Sequence, residues 1–232
     1  MTYPKPTIAV DLALITVLNG ALHCLLIERS DALAVGGAWA LPGGFVHEDT
    51  SVEDTAKRIL QDKANMPDAY LEQLCTYGAV GRDPRQRVIS ITHFALLPAT
   101  QLLAAARGKS DVTLAQITTN WQGEDGGAAQ AISEHLGPLD LAFDHADILG
   151  DVVKRLRGKL DYTAIGLELL PEYFTLRDAQ EVHEAILGRS LTKPAFRRKL
   201  LDRDLIKPTG RREAASAFRP AELYTRTPLD KE

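Results

Sequence analysis

The sequence predicts an α+β protein in two parts, and three features lead to this fold class. Segments rich in Val, Ile and Leu flank Asn19-Gly20 and predict a β-hairpin, because this dipeptide readily adopts positive φ angles. A turn at Gly43-Gly44 precedes an amphipathic helix. The C-terminal third has the order helix, turn, helix, strand, loop, strand. A chain of 232 residues, 45% of them hydrophobic, can bury both cores.

In the N-terminal part, strands alternate with helices. The hairpin strands are Thr7 to Leu18 and Leu22 to Ile27. The helix after the glycine turn begins at Thr50 or Ser51, either of which can cap it, and ends near Asn65. Further predicted elements are a strand over Val88 to Leu97, a short helix over Thr100 to Ala106, a strand over Val112 to Thr118, a short helix over Ala128 to His135 and a longer helix over Ala142 to Leu156.

The C-terminal part reads as a winged helix-turn-helix. Thr175 and Asp178 form a capping box for its first helix, which Gly188 ends. The second helix opens at Lys193-Pro194 and runs through Arg203. Phe196 and Leu200 form its buried side, Arg198 lies opposite them and Arg197 lies to the side. The wing consists of two short strands, Leu205 to Lys207 and Leu223 to Thr225, and of the basic loop Gly210-Arg211-Arg212 between them. A buried stripe with outward arginines is typical of a recognition helix.

Charge is distributed unevenly along the chain. The net charge is −4, but residues 1 to 150 hold 10 basic and 18 acidic residues, whereas residues 151 to 232 hold 17 and 13. Between Thr192 and Arg226 the counts are 10 basic and 4 acidic. This concentration indicates a nucleic-acid partner, although a solvated basic helix would have the same composition.

The cysteine, histidine and hydropathy patterns argue against a metalloprotein and against a membrane-spanning protein. Cys24 and Cys75 lie among apolar neighbours and are expected to be buried thiols. Neither they nor the six histidines have metal-ligand spacing, so we expect no metal and no cofactor. The longest apolar run, Ile8 to Leu18, contains Asp11 and is too short to span a bilayer. We therefore expect a cytoplasmic protein with no membrane partner.

Residues 43 to 66 resemble the signature of Nudix proteins, with departures. That signature is a glycine, five residues, a glutamate, seven residues, then Arg-Glu-apolar-x-Glu-Glu-x-Gly-apolar. Gly44, Arg58, Leu60 and Met66 match it. Five positions differ from it. Thr50 and Ile59 replace the first glutamate and the glutamate after the arginine, Asp62 and Lys63 replace the pair of adjacent glutamates, and Asn65 replaces the last glycine.

These departures bear on catalysis. In active Nudix enzymes the helical glutamates hold Mg²⁺, a cation that needs several oxygen ligands. This helix offers Asp62 alone and places the ammonium of Lys63 where a carboxylate belongs. We therefore expect no catalytic residues and no two-metal hydrolysis, while a diphosphate-shaped pocket could remain.

The whole chain resembles the Nudix-related transcriptional regulator (NrtR) family. The matching phrases are RDPR at Arg82 to Arg85, AFDHADIL from Ala142, RLRGKLDYTAIGLELLPEYFTL, ILGRSLTKPAFRRKLL and RPAELY. The resemblance implies a Nudix-like α/β/α sandwich with a mixed sheet over residues 1–155 for effector binding and dimerisation, and a winged helix-turn-helix over residues 156–232. It further implies a homodimer that binds a palindromic double-stranded DNA operator, senses ADP-ribose and represses genes of NAD metabolism.

Candidate site residues follow from the residue types and the resemblance. Arginines suit a diphosphate, and aromatic rings can stack on adenine or simply pack in the core. The candidate effector-binding residues are Arg29, Trp39, Gly43, Gly44, Phe45, Arg58, Lys63, Arg82, Asp83 and Arg85. The candidate DNA-binding residues are Thr192, Lys193, Arg197, Arg198, Lys199, Lys207, Arg211 and Arg212.

Two alternatives stay open at the level of sequence. One is a Nudix hydrolase with residual ADP-ribose pyrophosphatase activity that uses Glu48, Asp49, Glu53 or Asp62 as substitute ligands. The other is a regulator of the same architecture that responds to a sugar or a sugar phosphate.

Overall fold

The computed structural model describes residues 5–29, 38–213 and 220–227. Eleven strands and five α-helices are present in these ranges, together with a 3-10 helix at Ile165–Leu169. The strands are β1 Thr7–Leu18, β2 Ala21–Glu28, β3 Trp39–Ala40, β4 Gly43–Phe45, β5 Tyr70–Tyr77, β6 Val88–Leu96, β7 Val112–Thr119, β8 Ala129–Ser133, β9 Gly137–Leu139, β10 Ile206–Arg212 and β11 Glu222–Arg226. The helices are α1 Val52–Ala64, α2 Ala99–Ala106, α3 His145–Lys159, α4 Leu176–Leu187 and α5 Lys193–Asp202.

The long strand β1 lies at the centre of a mixed sheet. The strand order is β5-β6-β1-β2-β7-β8-β9, with β3 and β4 paired to β2 and β1. β1 runs parallel to β6 and antiparallel to β2 and β4. Its first half pairs with β4, through Val10 opposite Gly44, and its second half pairs with β2, through Ile15 opposite Cys24. The glycine turn is thereby held beside the start of β1.

Helices cover both faces of this sheet. Alternate β1 residues Val10, Leu12 and Leu14 pack in one cluster with residues of α1 and α2. Ala13 and Ile15, which point to the opposite face, pack in a second cluster with residues of α3. This arrangement is the predicted α/β/α sandwich, and it explains why β1 is a continuous apolar run rather than an alternating one.

Local predictions for the first helix and hairpin are confirmed. Asn19 and Gly20 have φ angles of 50° and 74°, as the hairpin turn requires. α1 is capped by Ser51, whose hydroxyl accepts from the Asp54 N–H, rather than by Thr50. It ends at Asn65 in the left-handed conformation.

Two parts of the N-terminal interpretation were incomplete or wrong. The predicted short helix over Ala128 to His135 is instead β8, a turn and β9, because Ala129, Ala131 and Ser133 alternate inward and pair with the free edge of β7. Pairing to a neighbouring strand has outweighed the helix propensity of alanine. The edge strand β5 was not predicted. Its pairing with β6 shifts register between Gln73 and Cys75, which breaks the alternation that marks a strand.

The C-terminal part is a winged helix-turn-helix packed on the same core. The capping box of Thr175 and Asp178 is present, and Gly188 ends α4 with a φ of 66°. Phe196 and Leu200 of α5 are buried in the cluster that contains the α3 residues. One detail differs from expectation: Gly210-Arg211-Arg212 belongs to β10 rather than to a loop. The chain between β10 and β11 includes residues 214–219, which are outside the described ranges.

α3 continues from His145 to Lys159 across the expected domain boundary at residue 155. Within the described part of the chain, none of the helices has the length and apolar character needed to cross a membrane.

Candidate effector site and DNA interface

A largely buried carboxylate, Asp11 of the central strand β1, forms the base of a polar cluster beside the glycine turn. Its Oδ2 accepts a hydrogen bond from the Ser90 hydroxyl at 2.7 Å and from the guanidinium of Arg82 at 3.1 Å. Only 13% of the Asp11 side chain is exposed. A carboxylate in a central strand is stable only with such partners.

Arg82 joins two carboxylates. Its Nε donates to Asp144 Oδ2 at 2.8 Å and its terminal NH2 group donates to Asp144 Oδ1 at 2.6 Å, in addition to the bond with Asp11. The Arg82 side chain is 4% exposed. Because Asp144 immediately precedes α3, this bidentate pair holds the loop of Arg82 against the first turn of that helix.

The charges of the cluster are mutually dependent. Burial raises the pKa of Asp11, but His145, the Ser90 hydroxyl and the Arg82 charge together outweigh burial and lower that pKa to about 2. Burial lowers the pKa of Arg82, but the hydrogen bond to Asp144 and the two carboxylate charges raise it overall. Both groups are therefore ionised at neutral pH.

His145, the first residue of α3, completes the base of the cluster. Its Nδ1 accepts from the Leu41 N–H at 3.0 Å, so the ring hydrogen resides on Nε2, 3.8 Å from Asp11 Oδ1. This Nε2 is buried and makes no hydrogen bond of ordinary length among the described residues, so His145 acts on the pKa of Asp11 electrostatically across 3.8 Å. A β-carbon at Gly43 would lie 2.7 Å from Asp11 Oδ1, so the turn approaches the carboxylate as closely as glycine permits.

Phe143 supplies an aromatic surface above this base. It has a φ of 56°, which is uncommon for a bulky residue and turns its ring toward two arginines. The guanidinium carbon of Arg29 lies 4.6 Å from the ring centroid and that of Arg85 lies 5.4 Å away. Asp83 fixes Arg85 through three hydrogen bonds, to its N–H, its Nε and its terminal NH2 group.

The fold therefore brings together five of the predicted effector residues. They are Arg29, Gly43, Arg82, Asp83 and Arg85. Together with Asp11, Ser90, Phe143, Asp144 and His145 they form what we call the arginine cluster. Its arginines come from two segments, the residue after β2 and the loop between β5 and β6, and the carboxylates of Asp11, Asp83 and Asp144 lie against Arg82 and Arg85. The guanidinium groups that face Phe143, those of Arg29 and Arg85, are of the type that binds phosphate.

Of the remaining predicted effector residues, Arg58 and Lys63 belong to α1 and Gly44 lies against it. A β-carbon at Gly44 would meet Arg58 and Ile59 at 3.8 and 3.7 Å, so this glycine links the turn to the helix. Phe45 is 46% exposed, as a stacking residue would be. Trp39 is 8% exposed and packs in the core, so the structure favours packing over stacking for this ring.

The signature helix α1 lacks the carboxylates of an active Nudix enzyme. Ile59 is 4% exposed and packs in the core beneath the sheet. Asp62 pairs with Arg58 across one turn at 4.0 Å, and the Thr50 hydroxyl donates to the His47 carbonyl. Lys63 lies in the last turn. Within the described ranges, no group of three or more His, Cys, Asp and Glu side chains converges as a metal site.

Several members of the arginine cluster were missed at the sequence level. They are Asp11, Ser90, Phe143, Asp144 and His145. Asp11 had a usable signal, because a lone carboxylate inside an apolar strand must find buried partners. The others had no local signal for this role, since their partners in the cluster are 50 or more positions away along the chain, as the 62 positions that separate Arg82 from Asp144 show.

The predicted recognition helix α5 exposes most of its basic residues. Lys193, Arg197 and Arg198 are exposed, opposite buried Phe196 and Leu200. Thr192 precedes the helix and makes no capping hydrogen bond. Lys199 differs, because its ammonium pairs with Asp161 at 2.8 Å and so ties α5 to the chain after α3.

The wing adds a second basic surface. Lys207, Arg211 and Arg212 are exposed on β10. The guanidinium carbon of Arg211 lies 5.2 Å from the centroid of the Tyr173 ring, which precedes α4. The wing is therefore held beside the helix-turn-helix, with its arginines on the outer surface.

Comparison with known protein families agrees with both halves of this description. Residues 7–123 match the NUDIX domain, and residues 166–225 match the NrtR DNA-binding winged helix domain. A repressor from Acinetobacter baylyi, described as the ADPR responsive transcriptional repressor NtrR, is 37% identical over 227 residues, which are 96% of this chain and 82% of the relative. The chain belongs to the NrtR family.

Solved and curated relatives extend the comparison. The NrtR of Shewanella oneidensis in complex with a 27mer DNA has a TM-score of 0.78 with 33% identity, covering 95% of this NrtR-family chain and 93% of the other. An ADP-ribose pyrophosphatase from Methanocaldococcus jannaschii is 28% identical over 156 residues, 67% of this chain and 78% of the relative. The Acinetobacter and Shewanella regulators are therefore similar to this chain over most of its length, and the pyrophosphatase is similar over two thirds of it.

Proposed function

We propose that this chain is a transcriptional repressor of NAD metabolism genes that senses ADP-ribose through its Nudix domain without hydrolysing it. The observation that carries the proposal is the 37% identity to an ADPR-responsive repressor along 96% of the chain. The exposed basic α5 and the arginine cluster agree with it. We further propose a homodimer, with residues 1–155 for effector binding and dimerisation and residues 156–232 for DNA binding.

In the proposed complex, the arginine cluster receives the diphosphate. Arg29 and Arg85 provide charge beside Phe143, and buried Arg82 holds the base of the site together through Asp11 and Asp144. The exposed ring of Phe45 is available to stack on adenine. Binding to the DNA-incompetent state in preference to the competent one would shift the population off the operator.

Operator binding tests this function directly. Purified protein should retard a fragment of its own promoter region at physiological salt, and ADP-ribose should release that fragment. Random DNA of equal length is the control, because phosphate contacts alone give binding without sequence preference. Equal retardation of both fragments would exclude a repressor.

Residual hydrolysis is the second candidate, which the partial identity to an ADP-ribose pyrophosphatase favours. The burial of the apolar Ile59 and the ammonium of Lys63 at two signature positions of α1 argue against it, because Mg²⁺ would lack ligands there. AMP release from ADP-ribose with Mg²⁺ or Mn²⁺ should be absent. Turnover that disappears in Asp62→Ala would instead establish a hydrolase.

The nature of the effector needs its own comparison. A ligand that binds only the folded protein raises its melting temperature. We expect ADP-ribose to stabilise the protein and pentoses or pentose phosphates to leave it unchanged. The opposite pattern would assign a sugar-type effector to the same architecture.

Lys63 offers a test of sensing as distinct from catalysis. Lys63→Glu places a carboxylate at a signature position in the last turn of α1. We expect weaker ADP-ribose response and still no hydrolysis, since Thr50 and Ile59 leave a metal short of ligands. The comparison is the concentration of ADP-ribose that releases DNA from each protein. Appearance of hydrolysis in the variant would show that one carboxylate added beside Asp62 suffices.

A further inference from the structure

The last turn of α3 carries an arginine that contacts both parts of the molecule. Arg157 Nε donates to the Ile186 carbonyl at 2.9 Å, and its NH1 group donates to the Gly123 carbonyl at 3.1 Å. Its guanidinium carbon lies 4.8 Å from the centroid of the Trp121 ring. One side chain thus joins the loop after β7 to the end of α4.

The contact with α4 is chemically favourable. Ile186 is next to the last residue of α4, where carbonyl groups have no partner within the helix. A cation there also interacts well with the negative end of the helix dipole. A β-carbon at Gly188, the cap of α4, would lie 3.5 Å from the guanidinium, so the two fit closely.

The loop on the other side is also held by contacts that do not involve Arg157. Trp121 Nε1 donates to the Gly127 carbonyl at 3.1 Å. A β-carbon at Gly150 of α3 would lie 1.8 Å from that same carbonyl oxygen, so the loop can pack on α3 only where the helix has glycine. The loop and α3 therefore form a frame, and Arg157 projects from this frame to α4.

The recognition helix is tied to the same end of α3. Lys199 pairs with Asp161 at 2.8 Å, and Arg203 donates to the Asp161 carbonyl at 2.8 Å. The other end of α3, about 22 Å away for a helix of 15 residues, is where Asp144 holds Arg82. α3 thus spans from the arginine cluster to both helices of the DNA-binding unit.

We propose that Arg157 is a positioning residue for operator recognition: it fixes the orientation of α4, and with it α5, relative to the Nudix domain. This inference rests on the proposed function. In the proposed homodimer, the recognition helices of the two protomers must reach two half-sites at a fixed separation. The orientation of α5 relative to the Nudix domain therefore affects the affinity for a palindrome and not the affinity for a single half-site.

The test compares Arg157→Ala, Arg157→Lys and the matched control Arg107→Ala, which removes one exposed positive charge from the end of α2. Each full-length protein is titrated with the palindromic promoter site and with one half-site, and its melting temperature is recorded with and without ADP-ribose. Arg157→Ala should bind the palindrome about tenfold more weakly, within the usual range of coupling between sites. Its half-site affinity and its stabilisation by ADP-ribose should match the wild type.

Arg157→Lys keeps the positive charge but lacks the planar guanidinium that reaches two carbonyl groups, so it should also bind the palindrome more weakly than the wild type. This variant replaces Arg157→Ala in the test if the alanine variant fails to fold. Equal weakening on palindrome and half-site would indicate a phosphate contact and overturn the inference, as would wild-type affinity for the palindrome. Wild-type protein that shows no sequence preference would remove the proposed function as well. Arg107→Ala should bind both sites as the wild type does.

Discussion

At the scale of single residues, Asp11 decides the chemistry of the arginine cluster. It sits in the central strand, touches the glycine turn and holds Arg82, so it links three segments that are far apart in sequence. Arg82 in turn is occupied by two carboxylates. The loop that carries Arg82 and Arg85 is therefore held in place by its own ion pairs, and a ligand that binds beside it need not order that loop.

Asp11→Asn should destabilise the fold by about 1–3 kcal/mol at pH 7, because buried Arg82 loses a charged partner. The folded pKa of Asp11 is lowered from 3.8 to about 2, so its stabilisation is present above pH 4 and is lost as pH falls through 2. The stability difference between wild type and variant should thus shrink over this interval. Urea unfolding at pH 7, 4 and 2.5 measures the free energy of unfolding of both proteins. A difference that stays constant over these pH values would contradict the lowered pKa of Asp11.

Gly43→Ala should also destabilise the protein, by about 1–3 kcal/mol, because the new methyl group would overlap Asp11 Oδ1 and approach the Val10 carbonyl at 3.0 Å. Its neighbour provides the control. A methyl group at Gly44 would meet its nearest atom at an ordinary 3.7 Å. Thermal melts should therefore separate Gly43→Ala from Gly44→Ala, and equal losses would show that the close approach is not the cause.

At the scale of elements, local sequence and tertiary packing contribute unequally. α1 and α4 have their own caps, and both begin where their sequences predict. β8 and β5 have no such signals and depend on the neighbouring strands β7 and β6. α3 lies between these cases, since its start is set by Phe143 in the left-handed conformation and by the Arg82 pair of Asp144.

Thr175→Ala should cost about 1 kcal/mol of stability, because it removes the side-chain acceptor of the α4 capping box. Thr192→Ala is the matched change at the start of α5, where the hydroxyl makes no capping bond. Chemical denaturation should show the larger loss for Thr175→Ala. A larger loss at Thr192 would mean that the cap assignments are wrong.

At the scale of the whole molecule, the two parts of the chain differ in charge and are connected by one helix. The acidic first 150 residues carry the sandwich, and the basic segment from Thr192 to Arg226 carries α5 and the wing. α3 connects the two. The family matches end at residue 123 and begin again at residue 166, so the division at residue 155 stays a prediction.

DNA affinity should fall steeply as the salt concentration rises, and two variants should separate the contribution of phosphate contacts from that of base contacts. Lys207→Ala, on the exposed wing, should weaken operator and random DNA alike and reduce the salt slope by about one. Arg197→Ala, on the exposed face of α5, should weaken the operator more than random DNA. Fluorescence anisotropy at several salt concentrations distinguishes these outcomes. Identical behaviour of both variants would count against α5 as the recognition helix.

The sequence by itself determined the hairpin, the capped helices, the winged helix and the loss of the Nudix carboxylates. Each depends on residues close together in the chain: Asn19-Gly20, the Thr175 box, and the positions of Ile59 and Lys63 on one helix. Only the tertiary structure decided that Arg82 is held by Asp11 and Asp144, that Trp39 is a core residue and that Lys199 pairs with Asp161. These features arise from packing and burial between distant segments, which local periodicity does not encode.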